Sequence, residues 1–112
     1  MLLSIKERLV LLNVLPSQET YANMLVLREL MGELGFNEAD HDDIGLTEED
    51  GNVSWDEKKA VLKEVSIGLV AYDLIKKGFK KLDSEKLITL DLMPTYKRFV
   101  EDEVSIKEEA HG

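Results

Sequence analysis

Cysteine is absent from this chain of 112 residues, which excludes disulfides, thiolate metal centres and cysteine nucleophiles. Basic residues are the minority, 14 Lys and Arg against 23 Asp and Glu, for a formal net charge of −9. That balance opposes non-specific binding to nucleic-acid backbones or anionic lipid. It suits solubility, a basic protein partner, or a divalent cation. No apolar run approaches the roughly 20 residues of a membrane-spanning helix. The N-terminal stretch Met1-Leu2-Leu3-Ser4-Ile5-Lys6-Glu7-Arg8 carries charge too early for a signal peptide. No phosphate loop, nucleophile elbow or dinucleotide fingerprint is present, and no repeat or low-complexity segment interrupts the chain. No cofactor is expected, and the chain is not expected to be an enzyme.

Hydrophobic residues make up 44% of the sequence, enough for one folded domain with a small core. Ser4 followed by Glu7 is a capping box, and Ile5, Leu9 and Leu12 then share one helical face. Pro16 closes this first helix. Ser17 or Thr20 starts a second, in which Tyr21, Met24, Leu25, Leu27, Arg28, Met31 and Leu34 recur near the helical period before Gly35. Lys6, Glu7, Arg8, Arg28, Glu29 and Glu33 are expected on the wet faces. Asn37 is placed to cap one further turn.

Between Glu38 and Asp50 seven residues are acidic and none is Lys or Arg. Val53 and Trp55, and then Val65 and Ile67, alternate like strands, predicting a hairpin near 52–67. A rival pattern stays open, because Val61, Val65, Leu69, Tyr72, Ile75, Phe79 and Leu82 also fit one long helix from about Asp56 to Leu82. The β-branched run before Gly68 favours a strand, then a helix from Gly68 to Leu82 burying Leu69, Val70, Tyr72, Ile75 and Phe79. Its end carries Lys76, Lys77, Lys80 and Lys81, which suit the negative pole of the helix dipole. Asp83-Ser84 is expected as a turn. A last helix is expected with Asp91 as its cap, Pro94 in its first turn, and Tyr96, Phe99 and Val100 facing the core.

The stretch Glu48 to Glu57 resembles the second half of an EF-hand calcium loop. With Gly51 at the sixth position, Asp50, Val53 and Glu57 match the fifth, eighth and twelfth, but Leu46 at the first position has no side-chain oxygen. Asp50-Gly51 is equally a tight-turn dipeptide between extended segments. His41 has acidic neighbours but no second histidine at helical spacing, so it is read as a surface residue and no metal ligand set is assigned. Trp55 is either the anchor of the hairpin or an exposed contact residue. The lysine cluster is read as a solvated helix end, with no direct nucleic-acid contact.

The segments Lys6-Glu7-Arg8-Leu9, Leu11-Leu12-Asn13-Val14-Leu15-Pro16, Gly51-Asn52, Trp55, Lys63-Glu64-Val65 and Tyr96-Lys97-Arg98-Phe99 together resemble a group of small bacteriophage and prophage proteins of no assigned reaction. The chain departs from that group at Pro94. The resemblance implies a compact helical domain with a small hairpin, and a cytoplasmic location in a host cell, or a virion. The expectation is therefore an α+β fold, a mainly α-helical single domain (1–103) with a small antiparallel β-hairpin and a polar tail (104–112). It would act by protein–protein binding, through Asp40, Asp42, Asp43, Glu48, Glu49, Asp50 and Trp55 and through apolar residues exposed on the first two helices. Its partner would be a basic protein, with self-association also open and no membrane involved. Two alternatives are an acidic, nucleic-acid-mimicking inhibitor of a host nucleic-acid-binding enzyme and a degenerate EF-hand-like divalent-cation binder.

Overall fold

A computed structural model describes residues 1–37, 40, 42, 45–56, 58 and 62–101. The fold is α+β and mainly helical. In chain order its elements are β1 (Leu2–Leu3), α1 (Ile5–Val14), α2 (Tyr21–Leu34), β2 (Thr47–Glu49), β3 (Asn52–Ser54), β4 (Lys63–Glu64), α3 (Leu69–Ser84) and α4 (Met93–Tyr96). A π-helical stretch, Lys97–Glu101, continues from α4.

The local signals at the first two helices act as expected. Ser4 Oγ accepts from the Glu7 N–H at 3.1 Å and Glu7 Oε1 accepts from the Ser4 N–H at 2.9 Å, so two otherwise orphaned amides are satisfied at the start of α1. Leu15, held extended before Pro16, ends that helix. Thr20, not Ser17, caps α2, accepting from the Asn23 N–H at 3.2 Å.

The buried face of α2 differs from the expected one. Leu27, Leu30 and Leu34 enter the core, whereas Tyr21, Leu25 and Met31 are exposed, Tyr21 to 80%. The helix has more apolar residues than one face can bury, so its periodicity did not single out an inner face. Arg8 is a second departure. It is 3% exposed, not part of a wet face. Its Nε donates to Leu34 O at 3.0 Å, its Nη2 to Gly35 O at 2.5 Å, and its guanidinium lies 3.8 Å from the centre of the Phe36 ring. Lys63 Nζ adds a bond to Glu33 O at 2.6 Å. These cations satisfy carbonyls that α2, which has no basic residue in its last turn, leaves open.

The strands form two antiparallel two-stranded sheets. Thr47, Glu48 and Glu49 pair with Ser54, Val53 and Asn52 around the Asp50-Gly51 turn. Leu2 and Leu3 pair with Glu64 and Lys63. The hairpin predicted near 52–67 is thereby corrected to 47–54. Asp50 (φ 53°) and Gly51 (φ 80°) both take the left-handed conformation of a two-residue hairpin loop, which pairs the segments on either side of it. The segment at Lys63 is left to the distant N-terminal strand. The alternation of Val65 and Ile67 still holds, since Val65 is buried and Ile67 packs against the core.

After β4 the chain stays extended until Gly68, and α3 begins at Leu69, so residues 62–68 are not part of one long helix. Tyr72, Ile75 and Phe79 are buried as expected, but Leu69 and Val70 are half exposed, and Ala71, Leu74 and Gly78 take their place inside. Gly78 lies against the end of α1, where an added Cβ would stand 2.3 Å from Val14 O. Asp83 and Ser84 belong to the helix. The turn follows, with Lys86 left-handed (φ 60°) and the Leu87 N–H reaching back to Leu82 O at 2.9 Å.

Asp91 is not the cap of the last helix. Thr89 closes the preceding turn, accepting the Leu92 N–H on both its carbonyl and its hydroxyl, while Asp91 pairs with Lys6 at 3.2 Å. Leu92 is the capping residue, and Pro94 falls in the first turn, where its missing N–H has no partner to lose. Phe99 is buried, Tyr96 and Val100 pack at the core edge, and Tyr72 Oη donates to Phe99 O at 2.5 Å. The Phe79 ring meets Tyr96 edge-on at 5.6 Å and Phe99 at 6.4 Å. Burying each such ring contributes about 2–3 kcal/mol. Among the described residues no helix is long and apolar enough to cross a membrane.

Candidate protein interface

The expected contact residues fall on two connected pieces of backbone. The first is the turn after α2. Asn37 Oδ1 accepts from the Asp40 N–H at 2.8 Å and Asp40 Oδ2 accepts from the Asn37 N–H at 3.0 Å, a reciprocal cap of the kind that Asn37 predicted. Asp40 is only partly exposed, and its carboxylate lies 3.8 Å from Arg8 Nη2. Burial pushes the Arg8 guanidinium below its ordinary pKa, and the adjacent Asp40 carboxylate opposes that shift. Asp40 therefore belongs partly to the fold. Asp42 is exposed. Asp43 and His41 lie outside the described residues, as do residues 104–112.

The second piece is the β2–β3 hairpin. Its underside is apolar: Leu46 is buried with Ile5, and Leu9, Phe36, Val53 and Trp55 pack against that pair. Trp55 is thus half-buried and acts as an anchor. The opposite side is polar. Glu49 and Asp50 are exposed, and Thr47 Oγ1 and Ser54 Oγ meet at 2.9 Å across the strands. Glu48 stands opposite Val53 in the register. Through Phe36, the same small cluster joins the hairpin to the Asn37–Asp40 turn.

This geometry explains why the loop resembles only half of an EF-hand. The position of the first calcium ligand is Leu46, whose side chain is packed into the core, and its backbone leads straight into a paired strand. Among the described residues no group of three carboxylate or histidine side chains gathers where an ion could sit.

Clefts occur elsewhere on the surface. One of about 640 Å³ lies between the α1–α2 connection and the C-terminal half of α3. There Lys77 is held by Glu19, whose pKa is lowered chiefly by that hydrogen bond and further by one from Asn23. Another, of about 590 Å³, adjoins Asp83, Met93 and Tyr96. Burial, with Asp83 close by, raises the Tyr96 phenol above its ordinary pKa, and its hydroxyl donates to Asp83 at 3.3 Å.

The apolar residues expected to stay exposed on the first two helices include Tyr21, Leu25 and Met31 on the outward side of α2, which the sequence did not single out. The signal in the sequence was the excess of apolar residues over what one helical face can bury. Compared with protein-family models, with curated proteins and with solved structures, the chain matches none of them.

Proposed function

We propose that the protein works by binding another protein, with no chemistry of its own, and that its acidic hairpin side meets a basic surface. The observation that supports this most is the two-sidedness of the hairpin. Leu46, Val53 and Trp55 staple it to the Ile5 cluster, while Glu49 and Asp50 at its turn project from a left-handed loop that needs no partner to hold its shape. A preshaped acidic loop loses little entropy on docking. Its charge would act mainly on association rate and specificity. The absence of cysteine fits a cytoplasmic setting. A phage accessory role rests only on the sequence resemblance noted above.

The test is capture from a cell lysate at low and high salt by the wild-type protein and by a variant carrying Asp42→Lys, Glu49→Lys and Asp50→Asn. Asn keeps the left-handed turn position available. The proposal expects a basic protein retained at low salt, released at high salt, and bound about tenfold more weakly by the variant. Capture of the same proteins by both forms at both salt concentrations would refute it. Competition by duplex DNA for the captured protein would identify the partner surface as a nucleic-acid groove, the inhibitor variant of this function.

A further inference from the structure

The outward face of α2 is mostly apolar yet carries one charge of each sign. Its exposed residues are Tyr21, Ala22, Leu25, Arg28, Glu29, Met31 and Gly32. In a chain of net charge −9, that face carries one cation and one anion and is otherwise apolar or small. At the helical step of about 100° per residue, Leu25 and Gly32 form a central ridge, with Arg28 and Glu29 about 50° to either side of it. Neither charge has an intrahelical partner: three and four residues away from Arg28 stand Leu25, Met31, Met24 and Gly32, none of them acidic, and Glu29 has no basic residue at those spacings. Among the described residues no hydrogen bond or ion pair reaches either one. A Cβ added at Gly32 would meet nothing within 4 Å. Beside Glu29 the surface continues into a shallow groove, lined by Val26, Leu69 and Val70 among others.

We propose that a second copy of this chain covers this face, with the two α2 helices side by side and parallel about a two-fold axis. In that arrangement Leu25 meets Leu25, and Gly32 faces Gly32 and lets the backbones approach. Arg28 of each copy stands opposite Glu29 of the other, so both unpaired charges are satisfied twice over. An antiparallel pairing would instead set the two arginines against each other and the two glutamates likewise. The occupant is thus chosen by charge complementarity: the face is neutral and complementary to itself, whereas a generic basic or acidic partner would leave one charge unmatched. A helix of 14 residues is about 21 Å long, so the contact is smaller than that of a permanent dimer, and the association is weak and concentration-dependent.

The experiment is sedimentation equilibrium of the full chain from about 1 µM to about 500 µM at low salt, with circular dichroism to confirm that each variant is folded. The wild type should convert from monomer to dimer within that range. Arg28→Glu and Glu29→Arg should each weaken the dimer at least tenfold, an equimolar mixture of the two variants should dimerise, and the double variant R28E/E29R should match the wild type. A wild type that stays monomeric throughout, a dimer indifferent to the single reversals, or a double variant as weak as the singles would overturn the proposal. The hairpin variant described above should dimerise normally, which keeps this inference separate from the acidic-docking one.

Discussion

α2 and α3 are similar in length and pack against each other, yet one is finished by its own sequence and the other is not. α3 carries Lys81 in its last turn, closes with its own backbone bond from the Leu87 N–H to Leu82 O, and beyond its first turn turns Asp73, Lys77, Lys80 and Lys81 to solvent. α2 has no acidic residue in its first turn and no basic residue in its last. Its final carbonyls are satisfied by Arg8 and Lys63, which come from elsewhere in the chain. Its outward face is mostly apolar. A helix that solvent alone could complete needs charged residues on its open side and a local stop. α2 has only Arg28 and Glu29 on that side, neither paired within the helix, and its stop is supplied by the rest of the fold. Its open face is therefore where association is expected.

The sharpest way to break this comparison is at the caps. Arg8→Ala would leave Leu34 O and Gly35 O without their donors and remove the cation from the Phe36 ring. The expected loss is about 3 kcal/mol in chemical denaturation. Lys81→Ala on α3 should change stability by less than about 0.5 kcal/mol. Equal losses from the two substitutions would mean that α2 is not the dependent helix.

Glycine gives a second contrast, of opposite sign. In α3, Gly78→Ala drives a methyl toward Val14 O and should cost about 2–3 kcal/mol as the α1–α3 contact opens. In α2, Gly32→Ala points into open space and should stabilise the monomer by about 0.5–1 kcal/mol. Thermal denaturation of the two variants at low protein concentration reads both effects.

The smallest expected effect concerns pH. Lys77 on α3 reaches Glu19, just ahead of α2, and holds its carboxyl below the ordinary carboxylate range. A folded pKa below the unfolded one means stability that is fully present above that range and lost as the pH falls through the lowered value. Glu19→Gln should therefore lower the melting temperature slightly at neutral pH, where the bridge is formed, and converge with the wild type as Glu19 is protonated, which flattens the acid limb. A variant whose acid limb overlays that of the wild type would show that the bridge contributes nothing.

Much of this molecule could be read from neighbouring residues alone. Ser4 with Glu7, Thr20 with Asn23, and Asn37 with Asp40 are contacts made within three residues of chain, and Asp50-Gly51 demands its turn whatever surrounds it. Side-chain and backbone chemistry at that range fixes the starts of the first two helices, the tight Asp50-Gly51 loop and the acidic character of the side it presents. The partner of Lys63-Glu64, the inner face of α2, and the burial of Arg8 were settled only when segments tens of residues apart came together. Each of those choices depends on which surfaces and unsatisfied carbonyls meet in space. A helix with apolar residues on more than one face, or an arginine amid charged neighbours, looks the same in sequence whichever way the rest of the chain folds against it.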